Sequence, residues 1–386
     1  MLLPDDNPST PKPIGPPRSN GEAGVPSRPW VINARETTMS SSAEAAQIVD
    51  PRADSSWDAS LETLPGATVF HSTAWFRVLT ASYGHRPFFL RLRTPEGELA
   101  VLPLAEVRSW LTGLRGISLP FTDLCPPLGA SNLFPSLLEK ALALAREHRW
   151  KYLELRDLQG NPFSSPPSIC YTGHQADLQP SKEQLLANLK SAVRTALRKA
   201  EKSGVDVRVG DRKEDVQNYF ELHCRTRRKH GVPPQPWRFF HHLHEELFRQ
   251  GKGFVVTAWR GEQAIAASIF VHSYGHAVYK FGASDERYLE CRAPTLVMWN
   301  GMLECKRLGC TVLHMGRTSP SNEGLSRFKA GFGAIETPVS YFRLNPKDAS
   351  VDKMTDMAVG PLNRLIGLAP SWLARKAGEV LYPHMS

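Results

Sequence analysis

The chain has 386 residues, 41% of them hydrophobic and 22% charged, with a formal net charge of +9. That composition belongs to a globular protein with enough apolar material for two ordinary domains. It contains no uninterrupted apolar run of about 18 residues, which excludes a spanning helix. The six cysteines (Cys125, Cys170, Cys224, Cys291, Cys305, Cys310) form no Cys-x-x-Cys pair and no zinc-ligand spacing, so a reduced, cytoplasmic chain is expected.

Residues 1–55 are rich in Pro, Ser and Asp and poor in aliphatics, and are expected to be disordered. Their first twenty residues have neither a basic start nor an apolar core, so no secretory signal is expected. Met39 opens a second possible translation start. From Thr73 a helix is predicted: Trp75, Phe76, Leu79 and Tyr83 share a stripe, with Ser72 or Thr73 as N-cap. "RPFFLRLRTPEGELAVLPLAEVRS" reads as a hairpin around the turn Pro-Glu-Gly-Glu. The strand "RGISLPF", the helix "FPSLLEKALALAREHRW" and the strand "KYLELRDL" complete a mixed αβ unit, taken as residues 56–178.

A second unit, residues 179–346, opens with one long helix from Ser181, its N-cap, to Gly204, its C-cap. A strand "VDVRV" and two helices separated by "GVPPQP" follow. The meander "GFVVTAWR", "AIAASIFVHS", "HAVYKFGAS" comes next, then a helix from Pro294 to Leu308, the strand "CTVLHM" and the strand "VSYFRLN". Residues 347–386 form an amphipathic helical tail carrying Leu365, Ile366, Leu368, Trp372, Leu373 and Val380 beside Arg364, Arg375 and Lys376. Such a tail can lie on an anionic membrane or pack against the body of the protein.

The phrases "FHSTAWFRVLTASYGHRPFFL", "VLPLAEVRSWLTGLRGISLPFTD", "LKSAVRTALRKAEKSGVDVRV", "HCRTRRKHGVPPQP", "VYKFGAS" and "MGRTSPSNEGLSRFKAGFG" stand in one order over about residues 68–345. They resemble FemAB-like proteins of the GNAT superfamily, of the branch associated with PEP-CTERM and exopolysaccharide biosynthesis. The resemblance implies a mixed α+β fold: tandem GNAT-like domains, each a mixed, largely antiparallel sheet flanked by helices. It also implies transfer of an acetyl or aminoacyl group to an amine of a bacterial envelope or exopolysaccharide precursor. The donor is acyl-CoA or aminoacyl-tRNA, and the acceptor an amine-bearing glycan or lipid-linked precursor. One departure stands out. Where an acyl-CoA enzyme offers a glycine-rich loop to the pyrophosphate, this chain has "DERYLECRAPTLVMW", without glycine.

The stretch "GRTSPSNEGLSRFKAGFG" is not a Walker A loop, because its spacing is too long and no Lys-Ser/Thr follows a glycine. It reads as a strand exit at Gly316, then a helix from Ser319-Pro320 to Gly331 with Leu325, Phe328 and Phe332 on its core face. Spacing alone makes Lys329 either a surface lysine lying over Phe328 or a cleft residue. The resemblance implies that the Phe328-Lys329 pair borders the reaction centre, where Lys329 would offset charge on the tetrahedral intermediate or leaving group. Tyr279, Glu323 or a water are candidates for the base. Arg317 is a candidate anion contact or a partner of Glu323. Residues 180–235 hold thirteen Lys and Arg against seven Asp and Glu, an excess of six.

Within that basic segment Lys190, Arg194, Arg198 and Lys202 form a row four residues apart. Arg194 and Arg198 are candidate substrate contacts, and the alternative is a solvated helix face. Arg227 and His230 in "RTRRKHGVPPQP" are further candidates, while the prolines there argue against a nucleic-acid motif, so no DNA partner is expected. "HHLHEE" lacks the His-Glu-x-x-His order, and no metal site is expected. Two rivals to the main expectation follow: an aminoacyl-tRNA-dependent transferase on a peptidoglycan precursor, or a non-catalytic protein of this fold that binds an anionic glycolipid or assembles a complex. The expected location is cytoplasmic, with peripheral contact at the inner membrane face through the tail.

Overall fold

The computed structural model describes residues 45–158, 163, 165–356 and 370–385. Met39 and the tail residues Arg364, Leu365, Ile366 and Leu368 lie outside them. Residues 45–55 correct the expected extent of the N-terminal tail. There β1 (Gln47–Val49) pairs antiparallel with β3 (Phe89–Arg93), so the ordered fold starts before residue 55.

A four-stranded sheet has the order β1-β3-β4-β7, where β4 is Leu99–Leu102 and β7 Leu128–Gly129. The β3–β4 pair is the hairpin expected around Pro95–Glu98. The large mixed sheet contains β2 (Arg86–Pro87), β5 (Ala105–Ser109), β6 (Gly113–Ile117), β8 (Leu153–Arg156), β9 (Ile169–Asp177) and β10 (Asp206–Gly210). It continues with β11 (Gly253–Arg260), β12 (Gln263–Ser273), β13 (His276–Ser284), β14 (Val312–Thr318), β15 (Ile335–Leu344) and β16 (Val351–Asp352). Its order is β10-β11-β12-β13-β14-β9-β15-β8-β6-β5-β2, with β16 beside β15. Among the described residues only β13/β14 and β6/β8 pair in parallel. The two halves of the chain interleave here: β9 lies between β14 and β15, and β15 returns to β8. Nothing in the local pattern of β9 announces this strand, and the sequence reading has none there. Its partners come from the far end of the chain.

Helices flank both sheets. They are α1 (Trp57–Leu61), α2 (Thr73–Tyr83), α3 (Phe134–Glu147), α4 (Lys182–Asn188), α5 (Ser191–Lys202) and α6 (Lys213–Lys229). Then come α7 (Trp237–Glu246), α8 (Ala293–Arg307), α9 (Glu323–Ala330) and α10 (Ser371–Leu381). The Ser72 side chain caps α2, and Gly84 closes it in the left-handed region. The single helix expected over 181–204 is two. Ser181 does cap its start, with Gln184 completing a capping box. The chain is then extended at Leu189 and Lys190, and the Lys190 amide donates to the Gly331 carbonyl at 2.9 Å. That tertiary bond replaces a helical one.

One apolar core joins α2 (Trp75, Phe76, Leu79) to α6 and α7 (Tyr219, Phe239, Phe240) across the two halves. A second lies under α5 and α8, and a third under α3. Burying the aromatic faces of α2 and α7 against each other stabilises the contact by roughly 1.5–3 kcal/mol per large side chain. The two halves are therefore held as one body rather than linked loosely.

Candidate active site

Strand β13 contains a bulge. Phe270 faces Tyr279 and Ile269 faces Phe281, which leaves Lys280 as the extra residue. Bulges re-aim side chains beside functional sites. Tyr279 turns into the core with Phe270 at 5.6 Å, whereas the Lys280 ammonium lies over Phe281, Phe70 and Trp75 at 5.1, 5.4 and 5.8 Å. The aromatic faces supply part of the solvation that burial removes from Lys280. The parallel pairing of β13 with β14 covers only His276–Val278 and Val312–His314. Beyond that point the two strands share no ladder, and Lys280, Gly316 and Arg317 border the gap.

Gly316 has φ +70°, and a Cβ there would come within 2.6 Å of the Asp123 carboxylate, so only glycine fits. The Gly316 and Arg317 carbonyls accept hydrogen bonds from Lys329 Nζ at 3.0 and 3.1 Å. Lys329 is 3% exposed and is the buried residue of α9. It is therefore not a surface lysine over Phe328. Phe328 instead packs edge-on against Phe332 at 5.1 Å. Helix α9 begins later than Ser319-Pro320, because the Asn322 side chain accepts from the Leu325 amide and caps it.

Asp123 comes from the other half of the chain, on a loop with Leu119 and Phe121 both at φ 58°. Such left-handed backbone at non-glycine residues is costly and persists where surroundings over-determine it. Here Arg156 Nη1 donates to the Leu119 and Thr122 carbonyls at 3.2 and 2.7 Å, and Tyr341 Oη donates to the Asp123 carbonyl at 2.7 Å. Arg156 is itself fixed by Glu154 Oε1 at 2.9 and 3.0 Å, and Arg343 Nη2 donates to the other Glu154 oxygen at 2.8 Å. Arg317 stacks on Tyr171 and Tyr341 at 4.0 and 4.9 Å and brings Nε to 3.7 Å from Asp123.

Electrostatics follow from this crowding. Burial works to raise the Asp123 carboxyl, but the charges of Lys280, Arg317, Lys329 and Arg156 outweigh it and hold it below the usual carboxylate range. Desolvation pulls Lys329 down from 10.5 to about 8, with Asp123 opposing. Desolvation also lowers Lys280, again opposed by Asp123. Lys280, Arg317 and Lys329 share one carboxylate, so the cluster retains excess positive charge for an anionic or electron-rich ligand.

Of the residues read from sequence, the structure brings together Lys329 and Arg317. Tyr279 faces the opposite side of the sheet. Glu323 is exposed on the first turn of α9, and the ion-pair partner of Arg317 is Asp123 rather than Glu323. Arg194 Nη1 donates to the Ala187 carbonyl at 3.0 Å and to the Leu189 carbonyl, closing the break between α4 and α5. Arg198 is exposed on α5. Arg227 Nη2 donates to Tyr382 Oη at 2.9 Å, and exposed His230 ends α6. The sequence reading missed Asp123, Lys280, Arg156, Tyr171 and Tyr341. Asp123 and Lys280 do stand inside two of the phrases that carry the resemblance.

The family model for the acetyltransferase (GNAT) domain matches residues 187–330. This part of the chain is therefore similar to a GNAT acetyltransferase domain. No curated protein matches the chain in sequence. A crystal structure of FemX superposes with TM-score 0.58 at 12% identity, covering 77% of this chain and 96% of that one. A conserved protein of unknown function from Bacteroides thetaiotaomicron superposes with TM-score 0.52 at 9% identity, covering 77% of this chain and 97% of that one. These likenesses concern the fold. The stretch that matches the family model supplies Lys280, Gly316, Arg317 and Lys329, while Asp123 and Arg156 come from the preceding half.

At the start of α8 the chain offers no glycine cradle. Arg292 occupies the left-handed cap position at φ 55°. Asp285 stands just before, accepting from the Arg287 amide at 3.1 Å and from Arg225 Nη1 at 3.2 Å. Its hydrogen bonds with Arg287 hold its carboxyl at about 2, and this charge caps the short helical turn Glu286–Cys291 that leads into α8.

Proposed function

We propose that the chain is an N-acyltransferase that moves an acetyl or aminoacyl group from a carrier to an amine of a bacterial envelope or exopolysaccharide precursor. In this reading residues 56–178 and 179–346 are tandem GNAT-like units, and the reaction occurs where β13 and β14 part. The observation that carries it is Lys329, a buried lysine beside Asp123 with two of its three N–H donors on carbonyls. The acceptor amine attacks the acyl carbonyl carbon, and the carbonyl oxygen takes the electron pair. The carbonyl re-forms as the bond to the carrier sulfur or oxygen breaks; the leaving atom keeps the electron pair and receives, through a water, the proton that the amine loses. The third donor of Lys329 offsets the developing oxyanion or leaving oxygen. Asp123, held ionised, orients the amine, and Lys280 and Arg317 retain negatively charged parts of the substrate. Positioning supplies much of the rate, so no enzyme nucleophile is needed.

The absence of glycine beside α8 favours aminoacyl-tRNA over acyl-CoA as donor. The test is calorimetric titration of the purified chain with acetyl-CoA and, separately, with aminoacyl-tRNA. Binding of either, with loss of transfer in Lys329→Ala, supports the reading. If neither binds and Lys329→Ala fully restores a deletion strain, the enzymatic reading is wrong.

A further inference from the structure

Helix α10 is seated the wrong way round for a helix whose apolar face serves its own protein. Its inward residues are small: Ala374 and Gly378 are buried, and a Cβ on Gly378 would come 2.1 Å from the Pro234 carbonyl oxygen. Its bulky apolar residues face out, with Trp372 66% and Val380 58% exposed and Leu373 beside them. The seat is firm. Tyr382, just after the helix, donates to the Pro233 carbonyl at 3.2 Å and stacks on Phe121 at 6.0 Å. Arg375 Nη2 donates to Glu221 at 2.8 Å, Arg238 to the Glu379 carbonyl at 3.1 Å and Arg115 to the His384 carbonyl at 2.6 Å. The outward apolar ridge is thus a fixed feature of the surface.

Two neighbouring features extend it. The tip of the β5–β6 hairpin carries Trp110, 80% exposed, and Leu111; the Trp110 ring meets His384 edge-on at 5.4 Å, at the end of α10. At the other end of the helix a cavity of about 130 Å³ is lined by Arg225, Arg228 and Arg375, with Glu221 as its acid and Ser371 at its rim. Arg228 Nη1 reaches Ser371 Oγ at 3.4 Å, one residue before Trp372. Large exposed apolar groups beside guanidinium groups match the boundary of an anionic bilayer, where tryptophan sits at headgroup depth and cations meet phosphates. Among the described residues no helix is long and apolar enough to cross a membrane.

We propose that this face docks on anionic phospholipid: Trp110, Leu111, Trp372, Leu373 and Val380 enter the headgroup–acyl boundary, and the arginine-lined cavity takes a headgroup phosphate. A lipid surface fits better than a protein partner because the apolar groups stand as a hairpin tip and a helix ridge, each beside positive charge. The inference does not rest on the acyl-transfer reading, and Lys329→Ala should bind vesicles like the parent.

The test is co-sedimentation of the full chain with vesicles of phosphatidylcholine alone and of phosphatidylcholine with phosphatidylglycerol. Binding is expected only with phosphatidylglycerol, weakening as salt rises. The double variant Trp372→Ser/Leu373→Ser, whose side chains are exposed, should keep its melting temperature and bind about tenfold more weakly. Arg228→Ala should weaken binding and flatten its salt dependence, and millimolar inorganic phosphate should not release the vesicle-bound protein. Equal binding to phosphatidylcholine alone, unchanged binding by the folded double variant, or no vesicle binding at low salt would each overturn the proposal. Protein-protein capture through this face without vesicle binding would do the same.

Discussion

Two basic regions of the molecule look alike in composition and behave oppositely. The row Lys190, Arg194, Arg198 and Lys202 follows α5, where spacing of four keeps its members along one side of the helix. Lys280, Arg317 and Lys329 come from three separate elements and converge on Asp123. The α5 row is largely bathed in solvent, and its best-placed member, Arg194, spends its donors on the carbonyls of α4. In the converging group Lys329 is withdrawn from water and Lys280, Arg317 and Asp123 are half-buried, and desolvation pulls the two lysines below the usual lysine value. Charge density along the chain therefore does not locate the candidate site. Desolvation of a few charges around one carboxylate does, because only there does each charge act at low dielectric.

The contrast can be broken most sharply at Gly316 and Lys329. Gly316→Ala places a Cβ on the Asp123 carboxylate at a left-handed φ and should abolish transfer, with a loss of about 2–3 kcal/mol in urea unfolding. Lys329→Ala should lower kcat by about 100- to 1,000-fold if its ammonium faces the oxyanion. A result within twofold would assign Lys329 to structure alone.

Lys329 also predicts a pH dependence of stability with a definite sign. In the folded chain it loses its proton near about 8, whereas unfolded it keeps it to 10.5. Between these values the unfolded chain binds more protons, so stability rises with pH, by at most about 3 kcal/mol. The penalty of the buried charge is fully present below pH 8. Lys329→Met should remove this rise, which denaturant midpoints from pH 7 to 10.5 would register. Asp123→Asn should move the Lys329 titration below about 8, since Asp123 is the group that holds it up; the corresponding limb of the pH–rate profile should shift the same way.

On the α5 side the expected effects are small. Arg194→Ala should cost about 1 kcal/mol through two lost carbonyl bonds at the end of α4. Arg198→Ala should stay within about 0.5 kcal/mol of the parent in stability. An activity loss of tenfold or more in Arg198→Ala would give the row a substrate role and erase the contrast drawn above.

Much of the architecture was legible in the residues. Ser72 and Ser181 mark helix starts by their side-chain caps, the Pro95–Glu98 turn marks a hairpin, and the first two meander strands are apolar runs bounded by turns, as buried strands are. These are local signals, set by bonds within a few residues. The resemblance to FemAB-like proteins pointed to Lys329, but the strand exit read at Gly316 is corrected: β14 runs on to Thr318, with its register against β9 shifted between His314 and Arg317. The break between α4 and α5 was not legible, because the Lys190 amide finds its partner at Gly331. Nor was β9, whose pairing partners β14 and β15 lie more than a hundred residues away.

The sequence by itself determined most of the helices, the hairpin and the meander strands, and that a mixed α+β fold results, while the resemblance singled out Lys329. Tertiary structure alone decided that Lys329 is buried, that the bulge turns Lys280 rather than Tyr279 towards the aromatic pair Phe70 and Trp75, and that Asp123 from the first half is the shared counter-charge. The physical reason is one of range. Caps, turns and periodicity are contracts between near neighbours, whereas the charge state of a buried cluster depends on how much water every packed element excludes and on which acid happens to be enclosed with the bases.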